Sequence, residues 1–321
     1  MSDPDILPPA VRAELEKFDR FAEETIAAFI GPLELLPTPP SIHHYTDAAG
    51  LTGILKAGTI WLTDIFTLND PSELSHGFTQ AVNILNAKAA NGPPESKIFT
   101  KQFEAFLTQG GIQAAAHYFT CSFSANGDDL GQWRAYADNG RGYALGFDTK
   151  KLEDAYTKQG GVPIPNNSTY HATYNDAELA KLHGLMIDAA FPLISLPRGR
   201  NLPSNVLHAY MGELLVLVAM HALRAALFFK HEAYRNEQEY RFLQLYRADI
   251  PPPEVKVRSR SSSPVKYREF NWREAAADSL VRITVGPAAD YDKAAQFARD
   301  CIAEFHSGKV EIVRSAIPYR A

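Results

Sequence analysis

The sequence contains little cysteine and lacks the short motifs of several common enzyme classes. Only Cys121 and Cys301 occur in 321 residues, without CxxC or Cys/His ligand spacing. The sequence therefore predicts neither a disulfide framework nor a structural zinc site. GxSxG, GxxxxGKS/T and HExxH are also absent, and the glycine-rich run NGRGYALG precedes a strand instead of opening a helix. P-loop and hydride-transfer chemistry are therefore not predicted.

Long apolar runs are missing as well. The opening stretch MSDPDILPPAVRAELEKF has no basic segment followed by an apolar one, so no secretory signal is expected. The longest apolar run, 214–229, is interrupted by His221 and Arg224 and is shorter than the roughly 20 residues of a spanning helix. We expect a buried core helix there and, with so few cysteines, a cytoplasmic protein without a membrane segment.

The chain also lacks the excess of positive charge that non-specific nucleic-acid binding requires. Its formal net charge is −5 and its pI is about 6.1, so the sequence gives no strong nucleic-acid signal. One local basic patch contains Lys256, Arg258, Arg260, Lys266 and Arg268, interleaved with serines. Because no aromatic platform accompanies these charges in the sequence, a mobile surface loop is favoured over a binding site.

Hydrophobic periodicity predicts an α+β protein. Apolar residues at three- and four-residue steps predict a helix over 9–30, followed by a proline-rich tether to residue 40. Residues 41–321 are expected to form a single α+β domain with a helical insertion around 175–231. The tail, 280–320, is typical of a β-α-β unit.

The strand predictions rest on short β-favouring runs, several of which carry polar residues of interest. These runs are SIHHYTD, TIWLTDI, HYFTCSFS, GYALGFD and EYRFLQLYR. Thr46 or Asp47 is predicted to cap the helix after the first run, and Gly58 to end it. HYFTCSFS and GYALGFD are close in sequence, so we expect them to pair as a hairpin.

Six blocks, taken together, resemble a bacterial domain-of-unknown-function family built around an Asn-Asp-Pro-x-Glu motif. In order they are HYT (44–46), GILKAG (53–58), NDPSEL (69–74), SFSANGDDLGQWRAYADNGRGYALGF (122–147), FFKHEAYRNEQEYR (228–241) and IVRSAIPYR (312–320). They span nearly all of the chain after residue 40. This resemblance alone implies no activity.

The same blocks are distantly similar to the ADP-ribosyltransferase fold, which implies a split antiparallel sheet with helical insertions. In that fold a first strand carries His or Arg, a later strand carries Ser-x-Ser, and a final strand opens with Glu. These positions correspond to His44, to Ser122 and Ser124, and to Glu237 or Glu239. His44-Tyr45-Thr46 looks like the His-x-Thr block of poly-ADP-ribosyl and nucleic-acid-directed branches, whereas Glu237-Gln238-Glu239 looks like the Glu-x-Glu of arginine-modifying enzymes.

This resemblance implies that NAD is the substrate and that a macromolecule of unknown class, or water, is the acceptor. Glu239 would hold the nicotinamide ribose and stabilise an oxocarbenium-like state, as carboxylates do in glycoside hydrolysis. His44 would bind the other ribose, and Ser122 would brace the glutamate together with Ser124. Glu237, expected on the same strand face as Glu239, would orient the acceptor. The alternative is a surface ion-pair ladder of the glutamates with nearby arginines.

Further candidates for the NAD site are Tyr45 and Thr46, which belong to the first block, and Trp133 and Arg134. A guanidinium beside aromatic rings suits a phosphate and a base, although Trp133 and Tyr136 could instead pack in the core. Lys230, at the end of the predicted buried helix, is a secondary candidate.

The NDPSEL motif and the acidic loop at 128–129 have structural and functional interpretations. Asn69 and Asp70 could form an Asx turn that caps the next helix, or could line the nicotinamide side of the pocket. Asp70, Glu73, Asp128 and Asp129 could together hold Mg²⁺, but no spacing identifies a metal site and none is predicted.

The leading functional hypothesis is therefore an NAD-cleaving, ADP-ribosyltransferase-like enzyme. One alternative is a non-catalytic module that binds a nucleotide or a partner protein. The other is a metal-dependent hydrolase or nuclease that uses the four acidic residues named above.

Overall fold

A computed structural model describes residues 6–34, 37–67, 72–200, 202–247, 251–260 and 263–319 of the chain. The predicted α+β class is confirmed. The predictions for Asn69 and Asp70 fall outside the described residues, as does the side chain of Glu73.

The helices in these ranges are α1 Pro9–Glu34, α2 Ala48–Ala57, α3 Ser72–Ala90, α4 Pro94–Thr108, α5 Gly111–Ala115, α6 Leu130–Tyr136, α7 Thr149–Thr157, α8 Asp176–Arg200, α9 Ser204–Leu227, α10 Trp272–Ala276 and α11 Tyr291–Phe305. The strands are β1 Ser41–Thr46, β2 Ile60–Asp64, β3 Ala116–Ser124, β4 Tyr143–Asp148, β5 Lys158–Gln159, β6 Val162–Pro163, β7 Asn167–His171, β8 Glu239–Arg247, β9 Lys256–Arg260, β10 Ser263–Phe270, β11 Leu280–Val285 and β12 Glu311–Arg314.

Ten of these strands form one mixed, open sheet that forks at β3. Along its main path the order is β12-β11-β4-β1-β3-β2-β10-β9, and β8 with β7 extends from the other edge of β3. On the forked edge, β3 pairs with β1 at Ser124 and with β2 at Phe119 and Thr120. The fork separates β1 from β2.

Two topology predictions have opposite outcomes. The β-α-β unit is confirmed, because β11 and β12 pair in parallel on either side of α11. The hairpin predicted for β3 with β4 is wrong, because β1 lies between them and pairs with both.

The prediction of a mobile loop for the basic segment is wrong in part. The segment forms β9 and β10, and β10 pairs with β2.

The apolar interior forms two main clusters. One lies among α1, α3, α4, α8 and α9 and reaches the sheet at Ala116, Tyr118 and Leu243. The other lies between the sheet and α2, α7 and α11. α1 buries Val11, Leu15, Phe18, Ala22 and Ile26, as its periodicity predicted.

The helices α8 and α9 are long and apolar enough to cross a membrane by length and composition. The core helix of a soluble protein meets the same criterion, and both helices contribute buried residues to the first apolar cluster. The packing agrees with the prediction of a core helix at 214–229.

The turn after β1 forms as predicted. The side chain of Asp47 accepts a hydrogen bond from the Gly50 amide at 2.7 Å and caps α2. Gly58 ends that helix at φ +69°, where glycine is favoured. These two caps fix the direction in which the chain leaves β1 and enters β2, the two strands that the fork separates.

Candidate functional site

A cavity of about 220 Å³ lies where the sheet forks. It is bounded by β1, β2, β3, β8, α6 and the segment after α9. Its lining residues are His43, His44, Tyr45, Trp61, Thr63, Thr120, Cys121, Ser122, Phe123, Gln132, Tyr136, Lys230, Glu237, Glu239 and Arg241.

The alternation of β3 explains why polar residues reach this cavity. Ala116, Tyr118, Thr120 and Ser122 lie on one face at period two. Ala116 and Tyr118 contact the helical cluster, whereas Thr120 and Ser122 line the cavity beyond it. Cys121 and Phe123, from the other face of β3, line the cavity as well, so the site lies at the fork itself, beyond the helices that cover Ala116 and Tyr118.

A buried ion cluster forms one wall. Glu239, 4% exposed, accepts hydrogen bonds from Arg241 on both oxygens, from Nε to Oε1 at 2.7 Å and from Nη2 to Oε2 at 2.8 Å. Lys230 Nζ lies 3.0 Å from Glu239 Oε2 and 2.6 Å from Glu237 Oε2. Burial raises the pKa of Glu239, but the charges of Arg241 and Lys230 outweigh it and hold that pKa well below its usual range. Glu239 is therefore an ionised carboxylate at neutral pH.

The two serines of β3 contact the glutamate segment in different ways. Ser122 Oγ donates to Glu239 Oε1 at 2.5 Å. Ser124 Oγ donates to the backbone oxygen of Glu237 at 2.7 Å and accepts from the Asn126 amide. The register causes these contacts, because Ser124 lies directly opposite Glu239. Ser122 touches the carboxylate, and Ser124 fixes the backbone that leads into β8.

His44 reaches the cavity from β1. Its Nδ1 lies 3.3 Å from the Ser122 carbonyl oxygen, which can only accept, so Nδ1 carries the proton. Burial lowers the pKa of His44, and the ring is neutral at pH 7. Nε2 is then a hydrogen-bond acceptor. Burial raises the pKa of the nearby Cys121 thiol, which favours the protonated form at neutral pH.

Tyr45 and Trp133 form the support of the site. The Tyr45 hydroxyl donates to the Asn126 carbonyl at 2.8 Å and accepts from the Asp129 amide at 3.0 Å. Its ring packs edge-to-face on Trp133 at 4.8 Å between centroids. Trp133 is 0% exposed, so the stacking role proposed for it is corrected to a core role. Thr46 and Arg134 are not among the described residues that line the cavity.

The expectation for Glu237 needs a correction as well. Glu237 ends a 3-10 helix, Glu232–Glu237, and Gln238 follows at φ +43°. The strand begins at Glu239, so the two glutamates do not share a strand face, and Lys230 joins them instead. The surface ladder is wrong for Arg241, whose side chain is 7% exposed.

The acidic loop at 128–129 has structural partners. Asp128 accepts from Trp133 Nε1 at 2.7 Å, from Ser315 Oγ at 2.6 Å and from the Ala316 amide at 2.7 Å. Asp129 caps α6 by accepting from the Gln132 amide. Within the described part of the chain no group of three or more His, Cys, Asp or Glu side chains could hold a metal ion.

Two aromatic residues of the cavity remain partly exposed: Trp61, which was not predicted from the sequence, and Tyr136, for which the sequence left a core role and a stacking role open. Trp61 on β2 is 42% exposed, and Tyr136 on α6 is 46% exposed. The sequence around Trp61, an ordinary strand, carries no signal of a ligand-binding role, whereas Tyr136 follows Trp133 and Arg134 in a segment that the sequence did suggest.

A family model described as "Protein of unknown function (DUF2971)" matches residues 132–242, about a third of the chain. The predicted resemblance to a family of unknown function is confirmed over that span, which includes Lys230, Glu239 and Arg241. None of the curated proteins and none of the solved structures matches the chain. The likeness to the ADP-ribosyltransferase fold therefore stays a prediction.

Proposed function

We propose that this cavity binds NAD, cleaves its nicotinamide–ribose bond and passes ADP-ribose to a macromolecule or to water. The observation that carries the proposal is the meeting of three side chains from three strands around one cavity. His44 comes from β1, Ser122 from β3 and Glu239 from β8. A neutral histidine, a hydroxyl and an ionised carboxylate suit ribose recognition together with stabilisation of a developing positive charge.

The reaction breaks the bond between ribose C1′ and the nicotinamide nitrogen, and the electron pair leaves with nicotinamide. Positive charge develops on the ribose ring, where the Glu239 carboxylate stabilises it. An acceptor nucleophile then bonds to C1′ and loses its proton. Glu237, joined to Lys230 and partly exposed, is the second carboxylate available to orient that nucleophile.

The surrounding residues support the binding of half a dinucleotide inside the cavity. A volume of about 220 Å³ is below the roughly 300–1,000 Å³ of most ligand sites. The nicotinamide riboside portion would lie inside, and the remainder would leave through the mouth. Neutral His44 offers Nε2 to a ribose hydroxyl, and Tyr136 offers a ring to a base.

One observation favours a second candidate, a module that binds a nucleotide without turnover. Each oxygen of Glu239 already accepts two donors: Oε1 from Ser122 and Arg241, and Oε2 from Arg241 and Lys230. A ribose hydroxyl must displace one of them. The Lys230 contact, at 3.0 Å, is the longest of the four. If it does not yield, the site binds but does not cleave.

Release of free nicotinamide from NAD tests both candidates. The comparison uses wild type, Glu239→Gln and Glu232→Gln, with EDTA present and with folding checked by circular dichroism. Glu232 is a matched control, since it is an exposed glutamate of the preceding segment paired with Arg235. We expect release from wild type and Glu232→Gln and at least a hundred-fold loss in Glu239→Gln. Saturable NAD binding without release, with or without candidate acceptors, would instead establish the binding module.

EDTA distinguishes the third hypothesis from the first two, because a metal-dependent hydrolase would lose its activity when EDTA removes the metal ion.

We place the proposed reaction in the cytoplasm. Cys121 and Cys301 are both free and buried, which is compatible with a reducing compartment.

A further inference from the structure

The sheet face that holds the cavity continues across β2, β10 and β9. Residues directly opposite each other in antiparallel strands share a face. Thr63 pairs with Thr120 of β3 and with Tyr267 of β10, and Tyr267 pairs with Lys256 of β9. With the period of two, Trp61 and Arg258 join the same face. Four residues, Trp61, Tyr267, Arg258 and Lys256, form what we call the aromatic–basic strip.

The strip combines an exposed ring with stacked cations. The Arg258 guanidinium lies 4.8 Å from the centroid of the Trp61 ring. The Trp61 ring also contacts the ring of Tyr267, with centroids 4.6 Å apart and planes tilted by 38°, and 42% of Trp61 remains exposed. Lys256 pairs with Glu269 at 2.6 Å and keeps half of its side chain exposed. The aromatic platform that the sequence did not reveal is therefore present beside the basic segment.

The local charge of this region is opposite to that of the chain. On the face of the strip, Lys256 and Arg258 stand against the carboxylate of Glu269, whereas Lys266 and Arg268 alternate to the other face of β10. The whole chain has a net charge of −5. A local basic region next to an aromatic ring attracts phosphates and offers a surface for a base.

We propose that the aromatic–basic strip binds single-stranded nucleic acid, with a base on Trp61 and phosphates at Arg258 and Lys256. An exposed ring can stack only on an unpaired base, which favours a single strand over a duplex. An acidic peptide would pair with the cations, but its carboxylates would not stack on the Trp61 ring. Because Trp61 also lines the cavity, the bound strand ends at the mouth of the site. That the strand is the acceptor of ADP-ribose rests on the proposed function; that it binds does not.

Tryptophan fluorescence reports on this surface directly. The chain has three tryptophans, and two of them, Trp133 and Trp272, are 0% exposed. Unlabelled oligo(dT) and oligo(U) of about 12 nucleotides, within the site sizes of single-strand binders, are titrated without NAD. We expect saturable quenching of the exposed component. Poly-glutamate of similar charge should leave the fluorescence unchanged, and equal quenching by it would overturn the proposal in favour of an acidic partner.

Binding constants from the anisotropy of labelled oligonucleotides complete the test. Trp61→Ala should weaken binding about ten-fold or more, Trp61→Phe much less, and Arg258→Gln should lower the salt dependence. Arg314→Gln is the matched control, since Arg314 also lies over a ring, that of Tyr291, at the opposite end of the sheet. Equal losses of oligonucleotide affinity in Arg314→Gln and Arg258→Gln, or no binding by wild type, would refute the proposal that the aromatic–basic strip is the binding site. Nicotinamide release is measured without oligonucleotide, so either proposal can fail while the other stands.

Discussion

Two acidic segments of this chain look alike in sequence and differ in structure. Glu237 lies just before a strand that Glu239 opens, and Asp128 with Asp129 precedes a short helix. Glu239 has charged partners, Arg241 and Lys230, at the wall of a cavity. Asp128 has an indole, a hydroxyl and a backbone amide, none of them charged.

The difference shows what distinguishes a candidate site from a structural link. Asp128 uses its carboxylate to join α6 to the segment after β12, and both of its oxygens accept hydrogen bonds from uncharged groups. The glutamate cluster concentrates two cations and two anions in a place with little exposure, where charges are costly to bury. Such a cost is expected where function requires the arrangement.

The largest expected effect comes from breaking the cation side of the cluster. Arg241→Met keeps much of the side-chain volume but leaves Glu239 with one cation and removes the bond from Arg241 Nη1 to the Leu227 carbonyl at 3.0 Å. We expect a loss of about 3–5 kcal/mol in the free energy of unfolding. Urea denaturation of the purified protein measures it.

Arg235→Met is the control for that measurement. Arg235 also pairs with a glutamate, but both side chains are more than half exposed. Exposed pairs contribute little, so its denaturation midpoint should stay close to that of wild type. Equal destabilisation by the two substitutions would remove the distinction between the buried cluster and an ordinary surface pair.

Acid should weaken the glutamate cluster in a defined pH window. The pKa of Glu239 is lowered from 4.5 to about 2, mainly by Arg241 and Lys230 against the opposing effect of burial. A lowered folded-state pKa gives stability that is complete above pH 4.5 and is lost as pH falls towards about 2. Gln is neutral at every pH. The stability difference between wild type and Glu239→Gln should therefore be constant above pH 4.5 and shrink by up to about 3 kcal/mol below it.

Denaturation of both proteins between pH 7 and pH 3 provides the measurement. A difference that stays flat down to pH 3 would mean that the carboxylate is not held by the two cations. A difference that begins to shrink near pH 7 would mean that another group titrates.

The structural carboxylate should give a smaller effect and no effect on chemistry. Asp128→Asn keeps one acceptor oxygen, but its amide faces the Ala316 N–H, so one charge-assisted bond is lost. We expect destabilisation of about 2 kcal/mol and faster hydrogen exchange at 315–317. Nicotinamide release per folded molecule should be unchanged. A selective loss of release would mean that Asp128 takes part in binding or in the reaction and does not only hold the structure together.

Local sequence patterns predicted much of the fold, but they could not predict which strands pair when those strands lie far apart in the chain. Asp47 and Gly58 act through neighbouring residues, so their capping roles could be predicted. The partner strand of β4 could not be predicted, because the buried apolar residues of β4 can pack beside any strand. The prediction placed β3 next to β4, but β1, a hundred residues earlier in the chain, pairs with β4 instead.

The candidate site divides in the same way. The resemblance to the ADP-ribosyltransferase fold pointed to His44, Ser122 and Glu239, and these three residues line one cavity. The position of Glu237 depended on where the strand begins, which the positive φ of Gln238 decides. Trp61 lies about two hundred residues from Arg258, and only the pairing of β2 with β10 brings them together.

The smallest expected effect concerns Asp129, the residue next to the structural link. Its side chain accepts one bond, from the Gln132 amide at 2.9 Å, and caps α6. Asp129→Ala should cost about 1 kcal/mol, and Asp129→Ser should recover most of it, because serine also caps helices well. Thermal denaturation resolves both changes. Since α6 carries Gln132 and Tyr136 into the cavity, a frayed helix should weaken NAD binding in the alanine variant and spare it in the serine variant. Equal binding by the two variants would mean that the start of α6 does not position the cavity wall.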